Sequence, residues 1–139
     1  TCSNHTPGKF VDFTEDEIKA YLEELKKLIL NNQYIISRRE ENDAFAYEYR
    51  IDSAKEKEIL LNLQYSDFCY AASNYNTKPE FSNEILYVFC IKYELDHWGT
   101  PEVVEVYIKT NLTQTRTGND FIIVISLHKL NNPIKYLFR

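Results

Sequence analysis

The stretch that decides the fold reads VEVYIKTNLTQTRTGNDFIIVISLHK and covers residues 104–129. Its first six residues alternate between apolar and polar side chains, which predicts a strand with one buried face. Residues 114–120 contain Gly118 beside Asn119 and predict a hairpin turn. The apolar run that follows predicts a strand in the interior of a sheet. Two antiparallel strands joined by a turn are therefore expected here.

The chain before this stretch has helical patterns. Thr14 and Glu17 have the spacing of a capping box, and apolar residues recur at helical spacing after them, which predicts a helix over Glu15–Leu30. Residues 39–49 predict a second helix. Ser53 and Glu56 repeat the capping-box spacing and predict a third helix that ends near Leu63.

The order of these elements predicts the fold class. Residues 66–71 favour one more short helix, capped by Ser66 and Asp67, and residues 85–91 predict the first long strand. Helices followed by strands indicate an α+β fold with N-terminal helices packed on an antiparallel sheet. Residues 1–13 are polar and are expected to be a flexible tail. Residues 14–139 are expected to form a single domain, which suits a chain of 139 residues.

Composition narrows the cellular setting. The formal net charge is −5, yet the charged residues after position 106 are nearly all basic: Lys109, Arg116, Lys129, Lys135 and Arg139 against Asp120. A basic end permits a local nucleic-acid site on an acidic protein. Three separated cysteines without a C-x-x-C pair indicate reduced thiols. No signal peptide and no membrane-spanning run are visible, so a soluble cytoplasmic protein is expected.

Several polar side chains on the predicted strands suit RNA cleavage. Glu84 opens the first long strand, Tyr107 and Lys109 share one face of the second, and His128 ends the third. The reaction needs a base for the 2′-hydroxyl, an acid for the leaving oxygen and cations for the phosphate. We assign Glu84 as the base and His128 as the acid. Tyr107 stacks or donates a hydrogen bond, and the expected RNA contacts beside Lys109 are Arg38, Arg39, Arg116 and Lys129.

Each of these residues also has a structural interpretation. A histidine at a strand end is more often solvated or structurally bonded, and Glu84 can simply begin a strand. Tyr107 is typical of packing, Lys109 of an edge strand that resists aggregation. Metal and cofactor chemistry are not expected: Cys2 and His5 alone have a ligand-like interval, and no glycine-rich phosphate loop or nucleophile elbow occurs.

The segments Ser66-Asp67-Phe68, Val106-Tyr107-Ile108-Lys109 and residues 123–129 resemble the "SDF", "VYLK" and "LIVSFK" segments of MqsR toxins, in the same order. The resemblance covers roughly residues 54–130. It implies a RelE-like α+β fold, ribosome-independent mRNA endonuclease activity and neutralisation by a cognate antitoxin.

Carried over by position, the resemblance also marks individual residues. The family's functional tyrosine falls on Tyr107, and the lysine of "SFK" falls on His128. The lysine after "SDF" falls on Tyr70, and the functional glutamine falls near Glu84. Two lysines are thus replaced. The sequence therefore predicts a metal-independent endoribonuclease toxin that acts on mRNA. The alternative is a non-catalytic interaction or regulatory domain on the same scaffold, which the acidic net charge favours.

Overall fold

The computed structural model describes residues 9–10, 13–73 and 85–139. The elements in chain order are β1 (Lys9–Phe10), α1 (Glu15–Leu30), β2 (Tyr34–Ile36), α2 (Glu40–Glu48), α3 (Ser53–Leu61), β3 (Phe68–Ser73), β4 (Ile85–His97), β5 (Thr100–Gln114) and β6 (Asp120–Lys129). A 3₁₀ turn, Tyr65–Asp67, leads into β3. Within the described residues, no helix combines the length and the apolar character needed to cross a membrane.

The predicted α+β class is confirmed, and the sheet is mixed rather than wholly antiparallel. Its strand order is β1-β3-β4-β5-β6-β2. Each neighbouring pair runs antiparallel except β2, which pairs parallel to β6 from Tyr34 opposite Ile122 to Ile36 opposite Val124. The parallel pair arises because α1 returns the chain to the same end of the sheet before β2 begins.

Helix α1 forms as the capping pattern predicts. The Glu17 amide donates to the Thr14 hydroxyl at 3.2 Å, and Glu17 accepts from the Thr14 amide at 2.8 Å. These bonds satisfy donors that the first helical turn leaves unpaired. The apolar stripe of the helix is buried in the main core, together with Ile59 and Leu60 of α3. The prediction of a helix over Glu15–Leu30 is confirmed.

Two local predictions near α3 are wrong. Asp52, not Ser53, caps α3, because its carboxylate accepts from the Lys55 amide at 2.8 Å. The short helix predicted over residues 66–71 is absent, because the 3₁₀ turn ends at Asp67 and β3 covers the residues that follow. Pairing with β4 supplies the backbone bonds of β3, so a partner distant in sequence overrides the local preference.

The long hairpin is more regular than its sequence predicts. The predicted strand over residues 85–91 continues to His97, and β5 begins at Thr100 after a turn at Trp98 and Gly99. Both turn residues have positive φ, 52° and 99°, as tight hairpin turns require. The predicted turn over residues 114–120 is confirmed between β5 and β6, with Gly118 at φ 86°.

The described residues before α1 make contacts with the sheet. Residues 1–8 and 11–12 lie outside the described part of the chain. Lys9–Phe10 pair with β3, and Phe13 packs edge-on against the Phe68 ring at 5.7 Å. The flexible tail over residues 1–13 stays a prediction.

Candidate functional site

Strand register brings three of the predicted site residues, Tyr107, Lys109 and His128, together with Ser126 on the sheet face opposite α1. Tyr107 of β5 lies directly opposite His128 of β6, and Lys109 lies opposite Ser126. Side chains at alternate positions share a face, so these four form a compact group on two adjacent strands. The alternate positions of β5 face α1, where Tyr21 and Thr110 hydroxyls lie 2.7 Å apart. The main core and the candidate site therefore occupy opposite faces.

Two aromatic rings form the centre of the group. The Tyr107 and His128 rings stack with centroids 5.3 Å apart. The Tyr107 hydroxyl lies 3.4 Å from that of Tyr70 on β3. Burial, together with the Tyr70 hydroxyl, raises the pKa of Tyr107. Tyr107 therefore keeps its proton at neutral pH and can donate a hydrogen bond.

The surroundings of His128 define its tautomer. Nδ1 lies 2.9 Å from the Lys129 carbonyl oxygen. A carbonyl only accepts, so Nδ1 carries the proton and the lone pair of the neutral ring is on Nε2. Nε2 lies 3.9 Å from the Glu41 carboxylate at the start of α2. The nitrogen that can exchange a proton is thus placed beside a carboxylate.

A pair of cations lies next to the rings. The Arg39 guanidinium donates to the Ser126 hydroxyl at 3.2 Å, which holds Arg39 over the strand position opposite Lys109. Burial and the Arg39 charge lower the pKa of Lys109, and Glu41 offsets the effect in part. None of the ion pairs that the described residues form includes Lys109. Lys109 is therefore available to an anion, and Arg39, whose guanidinium lies 4.0 Å from the Glu41 carboxylate, is the second cation of this face.

Asn42 explains how Arg39 and Glu41 reach the sheet. Its side-chain amide donates to the carbonyls of Ser37 and Ile125 and accepts from the Leu127 amide, at 2.9–3.1 Å. Asn42 is 5% exposed, so all three bonds are shielded from water. They fix the start of α2 against the edge of β6, beyond the point where β2 stops pairing. Arg39 and Glu41 flank this anchor.

A cavity of about 650 Å³ opens beside the stacked rings. Tyr70, Tyr107 and His128 line its inner side, and residues 130–135 line its outer side. The segment after β6 therefore provides one wall. Leu130, Ile134 and Tyr136 of this segment pack on a small second core of Cys69, Val88 and Cys90. Both cysteines are buried free thiols, and burial raises the pKa of Cys69 to about 12.

The C-terminal residues tie this wall to the turn before β3. Arg139 donates to Asp67 at 2.7 Å and to the Ser66 carbonyl at 2.8 Å. The Leu137 amide donates to the Phe68 carbonyl at 3.1 Å, and the Arg139 guanidinium lies 4.0 Å from the Tyr136 ring centroid. Residues 130–139, called the C-terminal strap below, are thus held at both ends.

Some predicted site residues lie elsewhere. Arg38 pairs with Asp43 at 3.5 Å and borders a separate, shallow surface cleft. Arg116 lies in the β5–β6 turn, seven residues after Lys109 and about 23 Å away along the strand. Lys129 lies on the opposite face from His128, with its ammonium 3.4 Å from the Tyr49 hydroxyl and 3.9 Å from Glu102. Glu84 lies outside the described residues.

Other members of the site were missed or misplaced by sequence reasoning. Tyr70, a position that the resemblance marks, was assigned to a helix, whereas in β3 it reaches Tyr107. Ser126 lies two residues before His128, so strand alternation alone could have found it. Glu41 and the C-terminal strap carry no local signal, because sequence-distant contacts place them. In the described part of the chain, no group of three or more His, Cys, Asp or Glu side chains is arranged to hold a metal.

Comparisons with protein-family models, with curated proteins and with solved structures found no match to this chain.

Proposed function

We propose that this protein is a metal-independent endoribonuclease toxin of the MqsR kind, with a RelE-like fold. It cleaves mRNA by attack of a ribose 2′-hydroxyl on the adjacent phosphate. One observation carries the proposal: the Lys109 and Arg39 cations lie on the same sheet face as the stacked Tyr107–His128 pair. A phosphate-binding pair beside a proton-transfer group is what this reaction needs.

The resemblance to MqsR toxins gains support from where its marked positions fall. Tyr70, Tyr107 and His128 align with functional residues of that family, and they come from β3, β5 and β6. In space they form one chain of contacts, hydroxyl to hydroxyl and ring to ring. Residues far apart in sequence that the resemblance selects independently thus meet at one cavity. Helices before strands agree with the same scaffold.

The cations define the first step, which is binding of the scissile phosphate. Lys109 is partly buried and is in none of the ion pairs of the described residues, and Arg39 is held toward it by Ser126. A phosphate between them neutralises two like charges and relieves their repulsion. It also holds the phosphate on the side of His128, because His128 lies opposite Tyr107, which is about 7 Å from Lys109 along β5.

Proton transfer is assigned to His128 and a carboxylate. His128 protonated on Nε2 gives that proton to the leaving 5′-oxygen, and Glu41 forms an ion pair with the protonated ring. The base that takes the 2′-hydroxyl proton is a carboxylate, either Glu41 at this face or Glu84. Tyr107 keeps its hydroxyl proton and donates a hydrogen bond to a phosphate oxygen as negative charge develops there.

The direct test is cleavage of a structured RNA by purified protein in the presence of EDTA. Wild type should cleave, and His128→Asn should lower the rate by about 10²–10⁴-fold. His97→Asn is the matched control, because His97 also faces a glutamate, Glu48 at 3.4 Å, but lies at the far end of β4. Absence of cleavage by wild type, or equal loss in both variants, would overturn the proposal.

Two further variants identify the base. Glu41→Gln and Glu84→Gln each keep the size of the side chain and remove its charge. Neutralising the true base should lower the cleavage rate by about 10²-fold or more and should remove the acidic limb of the pH–rate profile. If neither variant lowers the rate, the general-base step as stated is wrong.

The proposed biological setting is the cytoplasm, where mRNA is the substrate and a cognate antitoxin is the partner. Expression should arrest growth in a His128-dependent manner. A protein encoded next to this gene should relieve the arrest and should co-purify with the His128→Asn variant. If relief occurs without physical association, an antitoxin that acts by binding this protein is excluded.

A non-catalytic interaction domain is the second candidate, and one surface favours it. Tyr47 and Trp98 are 73% and 55% exposed, and their rings meet edge to face at 5.5 Å. Trp98 also has a positive φ of 52°, which is costly for a bulky residue. Under this alternative, Trp98→Ala abolishes growth effects and His128→Asn does not. The endoribonuclease proposal predicts the reverse.

A further inference from the structure

The cavity beside the Tyr107–His128 stack is larger than phosphate binding and proton transfer require. Its volume of about 650 Å³ lies in the range of small-molecule sites, about 300–1,000 Å³. The cations Lys109 and Arg39 lie to one side of the stacked rings, whereas the cavity opens toward the C-terminal strap. A ligand held by its phosphate at the cations therefore has room to extend into the cavity.

The walls of the cavity combine flat, apolar surface with amide groups. Tyr70 and Tyr107 line the inner side, and Pro133 with Ile134 lines the outer side. Asn131 and Asn132 lie at the rim, and both are exposed. Aromatic faces and side-chain amides are the groups with which proteins hold and read unstacked RNA bases.

The two asparagines differ in what is available to a ligand. The Asn131 amide already donates to Glu41, at 3.5 Å. Among the described residues, Asn132 has no hydrogen-bond partner, so its donor and its acceptor both remain free for a base edge. Its neighbour Pro133 restricts the backbone of Asn132 to extended conformations. Asn132 is thus presented at a defined place on the rim.

We propose that this cavity binds one nucleobase extruded from the RNA strand, and that Asn132 is a specificity-determining residue that reads its edge. This inference rests on the proposed RNA function. The phosphate of the same nucleotide lies at Lys109 and Arg39, and its ribose lies beside His128. Tyr70 provides the stacking face.

The test measures binding without cleavage. Fluorescein-labelled 2′-fluoro pentanucleotides UUXUU, with X as A, G, C or U, lack the attacking hydroxyl and report affinity by fluorescence anisotropy. Wild type should prefer one base at X. Asn132→Asp keeps the shape and removes the donor. It should change the order of preference by at least about fivefold, because one base-edge contact gives that much discrimination.

Control variants separate an effect on base recognition from an effect of added charge and from a loss of folded structure. Asn119→Asp adds the same charge in the β5–β6 turn, more than about 20 Å away along the strand, and should leave the order of preference unchanged. Tyr70→Leu should weaken binding of all four oligonucleotides by about fivefold or more, since stacking tolerates any base. Each variant must keep the wild-type thermal midpoint within a few degrees.

The outcomes distinguish this inference from the proposed function. Binding with a base preference that Asn132→Asp reorders supports the inference, whether or not wild type cleaves RNA. Binding without base preference, or with a preference that Asn132→Asp leaves intact, overturns it even if cleavage is observed. Failure of all four oligonucleotides to bind overturns the inference, and the cleavage assay alone then decides whether the proposed function stands.

Discussion

Lys109 shows at the scale of a single residue that the candidate site is costly to the fold. Burial and the nearby Arg39 lower the pKa of its ammonium group. A lowered pKa in the folded state means that folding disfavours the charged form. The described residues provide no ion pair to offset this cost. A binding site for an anion explains why such a charge is kept there.

Replacing Lys109 should therefore separate stability from binding. Lys109→Met keeps the apolar stem and removes the charge, and it should stabilise the protein by about 1 kcal/mol, or roughly 3 °C in thermal midpoint. Affinity for a non-cleavable RNA should fall by about tenfold, since a charge-assisted contact to phosphate is lost. Lys92→Met, at an exposed position of β4, is the control for both the thermal midpoint and the RNA affinity. A destabilised Lys109→Met with intact RNA affinity contradicts this view of the site.

The difference in stability between Lys109→Met and wild type should depend on pH, and the sign of this dependence follows from the lowered pKa of Lys109. Below the lowered pKa of Lys109 both states of the protein are protonated, and the cost of burying the charge is fully present. Between that pKa and the ordinary value of 10.5 the folded state loses its proton first, so stability rises with pH. The advantage of Lys109→Met in thermal midpoint should therefore shrink as the pH is raised from about 8 toward about 10. A thermal-midpoint advantage that stays constant or grows with pH would contradict the lowered pKa of Lys109.

Among the secondary-structure elements, helix α3 has an N-terminal cap that differs between the sequence prediction and the structure. The capping-box spacing favours Ser53 as the cap, whereas Asp52 makes the capping bond to Lys55. Asp52→Ala should lower the free energy of unfolding by about 1 kcal/mol, and Ser53→Ala should change it little. Urea denaturation of both variants measures this. Equal losses, or a larger loss for Ser53→Ala, would restore the sequence assignment.

The C-terminal strap is the element that shapes the cavity, and Arg139 is its anchor. Arg139→Ala leaves the buried Asp67 carboxylate without its guanidinium partner, and it should cost about 1–2 kcal/mol. The Leu137 amide, which donates to Phe68, should then exchange faster with deuterium. Arg116→Ala in the β5–β6 turn is the matched control. Unchanged exchange at Leu137 would show that the strap does not depend on this ion pair.

What the sequence predicts at this scale depends on how local the cause is. Helix α1 follows from a cap and a stripe within sixteen residues, so its bounds were predictable. The shared face of Tyr107 and Lys109 follows from strand alternation in the same way. The pairing of Tyr107 with His128 depends on the register of β5 and β6, including the irregularity after Lys109. Tyr70, Glu41 and the strap depend on contacts with distant segments, which no local pattern encodes.

At the scale of the whole molecule, the fold places core and site on opposite sides of one sheet. The helices α1 and α3 bury the first face, and the second face carries the cations, the stacked rings and the cavity. The molecule as a whole has a net charge of −5. Of the 16 Lys and Arg residues, Lys109 and Arg39 are the two assigned to the phosphate, so the proposed RNA contacts include only two cations.

This distribution predicts a shallow salt dependence of RNA affinity. Each phosphate neutralised on single-stranded RNA contributes a slope of about −0.7 to the plot of log affinity against log salt. Two phosphate contacts, through Lys109 and Arg39, should therefore give a slope of about −1.4 in this plot. Fluorescence anisotropy with a non-cleavable oligonucleotide, from about 50 to about 300 mM salt, measures it. A slope steeper than about −3 would require an extended basic surface and would contradict the proposed site.

The chemistry of the RNA ends tests most directly whether the ribose 2′-hydroxyl attacks the scissile phosphate. Once a cleavage site has been mapped, the substrate is remade with a single 2′-deoxynucleotide on the 5′ side of the scissile phosphate and is incubated with wild type in EDTA. Attack by the 2′-hydroxyl predicts that this one substitution abolishes cleavage there. It also predicts that the unmodified RNA yields 2′,3′-cyclic phosphate and 5′-hydroxyl ends, formed at a rate that His128→Asn lowers and His97→Asn does not. Cleavage of the deoxy-substituted RNA, or 3′-hydroxyl and 5′-phosphate ends, would contradict it.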